Sequence, residues 1–255
     1  MYEGIAFFDL DGTLLDDKSQ ITPEISEAMI QLKENNILPI IATGRNEREI
    51  QKIKQAANVS SCVTMNGMLV KVEETIVEAN EIESNDCATM LDFARELKDE
   101  LAFHSTNQLF ISGVNDYVRK SYNFFHLDLP PVHPTAYHEY VTHMILVLSE
   151  GNDEIYKKNF PDFTFYRNGP FCIDVVNKGI SKGTGVQTIK DYLKLQEIPT
   201  FAFGDGINDL DLLKACDHKI AMGNALPEVK ERADYITDKN TNGGIIKALK
   251  HYDLI

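Results

Sequence analysis

Asp9 and Asp11 stand two residues apart in the string Phe7-Phe8-Asp9-Leu10-Asp11-Gly12-Thr13-Leu14-Leu15, where an apolar stretch ends. If Ile5-Ala6-Phe7-Phe8 is a strand, alternate side chains share a face and the two carboxylates address one small volume. Carboxylates held together attract a hard cation and can divide the work of nucleophile and general acid/base. A strand that ends in a polar turn gives the same string, so the other motifs must decide.

Three of them do. Thr43-Gly44-Arg45 follows the apolar run Ile37-Leu38-Pro39-Ile40-Ile41-Ala42. A hydroxyl and backbone N–H groups at a helix start form an anion site, and Gly44 lets the backbone come close. An ordinary helix cap explains the same residues. Lys182, in Ser181-Lys182-Gly183-Thr184-Gly185, falls in the first turn of a helical pattern, where the helix dipole opposes it. It is either a solvated surface lysine or the partner of an anion. Gly204-Asp205-Gly206-Ile207-Asn208-Asp209 closes the apolar run that starts at Thr200. Asp205 can join Asp9 around a divalent cation, with Asn208 and Asp209 in support. Capping accounts for Asn208 and Asp209 but not for an aspartate between two glycines.

These residues need a scaffold, and the pattern supplies one. Over residues 1–80 strand and helix signals alternate, with Thr22-Pro23-Glu24 opening an amphipathic helix and a second helix running to about Ala57. Val63-Thr64-Met65, Asn66-Gly67 and Met68-Leu69-Val70 read as a hairpin, and Glu73-Glu74 as a turn facing water. Alternation resumes over 178–255, with a helix from about Lys182 to Leu195, a strand over Thr200–Gly204, a helix from Asn208 to Ala215 and a strand over His218–Met222. The two segments form one α/β core with a parallel sheet flanked by helices. Between them, residues 81–177 hold nine of the thirteen Phe and five of the seven His, and read as an inserted α+β domain. Its expected strands are 109–111, 144–148 and 171–176, and its expected helices are about 85–100, 115–123 and 153–159.

Composition narrows the function. A net charge of −14 argues against nucleic acid as a partner, and no apolar run reaches the roughly 18 residues of a membrane span. The chain enters a core-type strand directly after Met1-Tyr2-Glu3-Gly4, without a signal pattern, so a cytoplasmic location is expected. Cys62, Cys87, Cys172 and Cys216 are scattered and expected to be free, buried thiols. His133, His138 and His143 recur every five residues, which is not a metal-ligand spacing, and read as hydrogen-bonded or solvated. Tyr122, Phe124 and Phe125 read as core of the inserted domain; Arg45 and Arg167 either meet a second anionic group of a ligand or are plain exposed helix and loop positions.

The motifs in this order, Asp-x-Asp-Gly-Thr, Thr-Gly-Arg, a helix-start Lys and Gly-Asp-x-x-Asn-Asp, resemble the haloacid dehalogenase superfamily. The position of the insertion resembles its type IIB, Cof-like branch. Asn66-Gly67, Ile220-Ala221-Met222-Gly223-Asn224-Ala225 and Thr241-Asn242-Gly243-Gly244 agree with that branch. The resemblance implies a Rossmann-like core with an inserted cap, and a magnesium-dependent phosphatase acting on sugar phosphates or similar small metabolites. It further implies Asp9 as nucleophile and Asp11 as acid and base. Thr43, Gly44 and Lys182 would hold the phosphate, with Arg45 and Asn66 in the substrate pocket. Magnesium would sit on Asp9, the backbone carbonyl of Asp11 and Asp205, with Asn208 and Asp209 supporting. An acid at position 11 favours hydrolysis over the stable phospho-enzyme of the superfamily's ion pumps, which carry Thr there. A phosphomutase and a metabolite sensor of weak turnover are the alternatives, and specificity is expected to lie within about residues 84–177.

Overall fold

The structure, a computed structural model, describes residues 2–73, 75–125 and 127–255, so Glu74 of the expected Glu73-Glu74 turn lies outside the described residues. The chain begins with β1 (Gly4–Phe8), α1 (Pro23–Glu34), β2 (Ile37–Ala42), α2 (Glu47–Ala57), β3 (Ser61–Thr64), β4 (Leu69–Val72) and β5 (Thr75–Ala79). It continues with α3 (Ser84–Glu96), β6 (Glu100–His104), β7 (Leu109–Ile111), α4 (Asp116–Phe124), β8 (Met144–Leu148), α5 (Asp153–Asn159), β9 (Phe163–Arg167) and β10 (Cys172–Asn177). It ends with α6 (Lys182–Leu193), β11 (Thr200–Gly204), α7 (Leu210–Ala215), β12 (His218–Ala221), α8 (Pro227–Lys230), β13 (Tyr235–Ile236) and α9 (Gly244–His251).

Two compact units result: Met1–Arg45 with Glu49–Glu78 and Ser181–Ile255, and Ala79–Ile180 with Asn46–Arg48. The first holds an eight-stranded sheet in the order β13-β12-β11-β1-β2-β3-β4-β5. From β13 to β3 every pairing is parallel; β3 and β4 are antiparallel. Strands β1, β2 and β11 are buried along their whole length, which is why they read as unbroken apolar runs rather than alternating ones. Phe8 and Phe203 are register partners whose rings stack at 4.6 Å. Pro39 is tolerated inside β2 because pairing with β3 starts only at Ile40. Thr22 caps α1 by accepting a hydrogen bond from the Ile25 N–H at 3.3 Å.

The second unit carries an antiparallel sheet in the order β7-β6-β8-β10-β9, with its own helices. Two strands were absent from the sequence-based expectation. The helix expected to run to Glu100 ends at Glu96, and Glu100–His104 forms β6 at the heart of this sheet; Phe163–Arg167 forms β9. The 61–72 hairpin forms, but Met65–Gly67 is a tight helical turn rather than strand. Asn208 lies likewise in a short turn, Ile207–Asp209, ahead of α7. All four cysteines are free and buried. Among the described residues no helix is long and apolar enough to cross a membrane.

Strand order brings the loops after β11, β1 and β2 side by side at the carboxyl ends of three adjacent parallel strands, where the chain reverses its direction of winding. Gly12 makes the tight turn after β1 with φ +79°, and a Cβ there would overlap the Asp205 carboxylate. Gly12→Ala is therefore expected to destabilise the protein by about 1–3 kcal/mol, read as a lower urea midpoint at unchanged m. An unchanged midpoint would mean that the turn has room to relax.

Candidate active site

The turn after β1 carries Asp9 at its start and Asp11 at its bend. Its backbone is irregular, held by Leu14 N–H to the Asp9 carbonyl at 3.2 Å and Leu15 N–H to the Leu10 carbonyl at 2.9 Å. Thr13 Oγ1 donates to Asp205 Oδ1 at 3.1 Å, tying this turn to the loop after β11. Asn224 Nδ2 donates to the Gly12 carbonyl at 2.7 Å and to Asp205 Oδ2 at 3.3 Å, adding a third strand's loop. Neither Thr13 nor Asn224 stood out in the sequence as a site residue, although both fall inside motif strings.

Lys182 is the centre of the arrangement. Ser181 caps α6 in a reciprocal capping box with Thr184, which fixes the first turn and with it the direction of Lys182. The Lys182 side chain is fully buried, so the solvated-lysine alternative fails. Its Nζ donates to Asp9 Oδ1 at 2.6 Å and to Asp209 Oδ1 at 2.7 Å. Asp209 uses its other oxygen to accept the N–H groups of Asp205 and Gly206, both at 2.9 Å. Both Asp209 oxygens are thereby committed. Gly204 is required beside it, because a Cβ at that position would collide with the Asp209 side chain.

Charge in this cluster does not balance. Asp9, Asp205 and Asp209 each offer an oxygen within 4.8 Å of the others, against the single Lys182 ammonium. Burial works against the Lys182 charge, yet Asp209 and Asp9 override it and drive its pKa up. Burial, then Asp209, push the Asp9 carboxyl well above the usual range despite Lys182. Asp205 is pushed up to about 6, first by burial and then by Asp209. Such a cluster fits a further positive charge with hard oxygen ligands, as a divalent cation provides. Asp209 accepts three N–H donors, whereas Asp205 accepts one donor at each oxygen and Asp9 one at Oδ1 alone, so Asp9 and Asp205 keep the larger acceptor capacity for it.

The Asp11 side chain does not join this cluster. It faces Arg45, which donates from Nε to Asp11 Oδ2 at 2.8 Å and from a terminal nitrogen to Oδ1 at 2.5 Å. Thr43 is buried after β2, and its Oγ1 accepts the Arg45 N–H at 3.1 Å beside Gly44. The 65–67 turn is stapled to this loop: Met65 N–H donates to the Arg45 carbonyl and Asn66 N–H to the Thr43 carbonyl, both at 3.0 Å. Met65 and Asn66 have φ of 50° and 53°, left-handed conformations that cost energy and are held by these bonds. Asn208 Nδ2 donates to Asn66 Oδ1 at 2.9 Å, joining the loops after β3 and β11.

Other candidates are spoken for. Arg167 pairs with Asp153 and donates to the Ser149 and Pro170 carbonyls, so it is not a free anion receptor. His133 bonds Glu139 at 3.0 Å, and His143 bonds Thr106 and the Asn80 carbonyl. Tyr122 is buried in the second unit and Phe125 packs partly buried against the same cluster, but Phe124, the last residue of α4, is 54 % exposed, contrary to its assignment to the core.

Residues 6–249 match the family model of the haloacid dehalogenase-like hydrolases. The chain is 27% identical to YkrA of Bacillus subtilis strain 168 over 252 residues, covering 98% of both. It is 28% identical over 253 residues to the 5-amino-6-(5-phospho-D-ribitylamino)uracil phosphatase YcsE of the same organism, covering 96% of this chain and 94% of that one. Its fold matches the solved structure of the subclass IIB sugar phosphatase BT4131 with a TM-score of 0.89 and 26% identity, over 99% of this chain and 100% of that one. The cluster built on Asp9, Lys182 and Asp205 therefore sits in a chain that belongs to the haloacid dehalogenase-like hydrolases.

Proposed function

We propose that this protein is a magnesium-dependent phosphatase of small phosphate monoesters, sugar phosphates or related metabolites, working through an aspartyl-phosphate on Asp9. The observation that carries this reading is the division of the Asp9 carboxylate: Oδ1 is held by Lys182, while Oδ2 has no donor among the described residues. An oriented carboxylate with one uncommitted oxygen is suited to attack phosphorus. Asp9 Oδ2 forms the bond to phosphorus as the ester oxygen leaves with a proton from Asp11. Asp11 then takes a proton from water, which attacks phosphorus, releases phosphate and restores Asp9.

Thr43, Gly44 and Lys182 hold the phosphoryl oxygens, and Asn66 and Asn208 keep the loops that carry them in register. Magnesium on Asp9, the Asp11 backbone carbonyl and Asp205 supplies, when bound, the positive charge that lets an anionic carboxylate approach an anionic phosphate. Relatives support the substrate class: besides YcsE and BT4131, an HMP-PP phosphatase of Citrobacter koseri is 24% identical. A cytoplasmic location is consistent with the four free cysteines.

Phosphate release from p-nitrophenyl phosphate and a panel of sugar phosphates, with and without magnesium, tests the reaction. Asp9→Asn is expected to lose all detectable turnover, and residual turnover in a clean preparation would refute the covalent route. Product isomerisation without phosphate release would indicate a mutase. The raised Asp205 pKa gives a second check. Between about pH 4 and 6 the folded protein holds on Asp205 a proton that the unfolded chain has given up, and Asp9, raised by the same burial, acts in the same direction, so metal-free stability falls as pH rises through that window. Magnesium at a hundredfold excess over its Kd should restore about 2.7 kcal/mol, with a larger rise in melting temperature at pH 7 than at pH 5. Equal rises at both pH values would remove Asp205 from the metal site.

A further inference from the structure

Arg45 grips both oxygens of Asp11 through a bidentate pair, the strongest geometry a guanidinium offers a carboxylate. Each of those oxygens accepts an N–H, whereas a carboxyl group that is to donate its proton must free one of them. The side chains are 24% and 55% exposed, so the pair stands open to a ligand. The Arg45 backbone is anchored by its own N–H to Thr43 Oγ1 and by its carbonyl to the Met65 N–H, so an exchange of partner moves the side chain alone. Burial works against the Arg45 charge, but the bonds to Asp11 more than offset it and its pKa lies above the ordinary value. Lys182, the other cation of the site, is already shared between Asp9 and Asp209.

We propose that Arg45 is a substrate-operated latch, which releases Asp11 when a second anionic group on the substrate, a carboxylate or a second phosphate, takes the guanidinium. The inference rests on the phosphatase reading above, in which Asp11 faces the leaving oxygen. A guanidinium bound to Asp11 then lies on the leaving-group side, where the rest of the substrate must pass. For a substrate with such a group, one bidentate charge-assisted pair replaces another, and Asp11 is freed without loss of hydrogen bonds. An ester without one must break the Arg45–Asp11 pair uncompensated, which slows it by about tenfold or more. The latch thus selects doubly anionic phosphate esters.

Steady-state kinetics on matched pairs test it: fructose 1,6-bisphosphate against fructose 6-phosphate, and 6-phosphogluconate against glucose 6-phosphate. In the unaltered enzyme kcat/KM is expected to be at least about tenfold higher for the doubly anionic member of each pair. Arg45→Met should reduce each ratio to about twofold or less and raise kcat on the singly anionic esters. A ratio near one in the unaltered enzyme would overturn the latch. So would a parallel loss on both members in Arg45→Met, which would make Arg45 only a support for Asp11. Turnover of p-nitrophenyl phosphate that depends on Asp9 reports separately on the phosphatase reading. If that turnover is absent, calorimetry on Asp9→Asn still decides the latch. Fructose 1,6-bisphosphate should bind at least about fivefold more tightly than fructose 6-phosphate, and adding Arg45→Met should equalise them; equal binding before that change counts against it.

Discussion

The buried ammonium of Lys182 is the interaction on which the rest of the site depends. A fully buried lysine is intolerable without anions around it, and Asp9 and Asp209 are tolerable there only because of it. One group reaches Lys182 from the end of β1, the other from the loop after β11. The lysine therefore fixes the spacing of two strand ends as well as the orientation of one carboxylate oxygen. Asp209 extends the arrangement by gripping the Asp205 and Gly206 amides, so the loop that presents Asp205 is shaped by the same charge. Removing any member leaves another buried and uncompensated.

An acidic protein with a formal charge of −14 has few cations to spend, and this one deploys them by depth. Lys182, in the interior, orients a carboxylate and cannot leave. Arg45, nearer the surface, engages a carboxylate through a pair that is partly exposed on both sides. The positive charge that the interior still lacks is the kind that a hard metal ion brings with it, reversibly. One cation of the site is thus fixed in the interior, and the other stands partly exposed at its edge.

Much of this was legible in the chain. The strands Ile37–Ala42, Met144–Leu148 and Thr200–Gly204 fall where their apolar runs put them, because burial on both faces leaves little alternation to confuse, and the half-buried Leu109–Ile111 falls there too. A lysine in the first turn of α6, against the dipole, left a solvated side chain or an anionic partner open, and its burial against Asp9 and Asp209 decides for the partner. What was not legible depends on pairing at a distance. Glu100–His104 opens with a charged residue, separated from a helix by three residues, and becomes a strand because β7 and β8 flank it. The grip of Asp209 on two amides depends on the direction in which the backbone leaves β11. The Arg45–Asp11 pair joins residues 34 apart whose meeting depends on the order of β1 and β2 in the sheet.

That sheet order has a consequence for how the protein is made. Strand β1 lies between β2, which follows it closely in the chain, and β11, whose loop meets the turn after β1 across 192 residues of sequence. At about 5–20 residues per second of synthesis, the turn bearing Asp9 waits roughly 10–40 seconds for Lys182 and Asp205, which complete the cluster. During that interval one edge of a wholly apolar strand has no partner. No N-terminal fragment lacking the last third of the chain can therefore assemble the site, because Lys182, Asp205 and Asp209 all lie in that third.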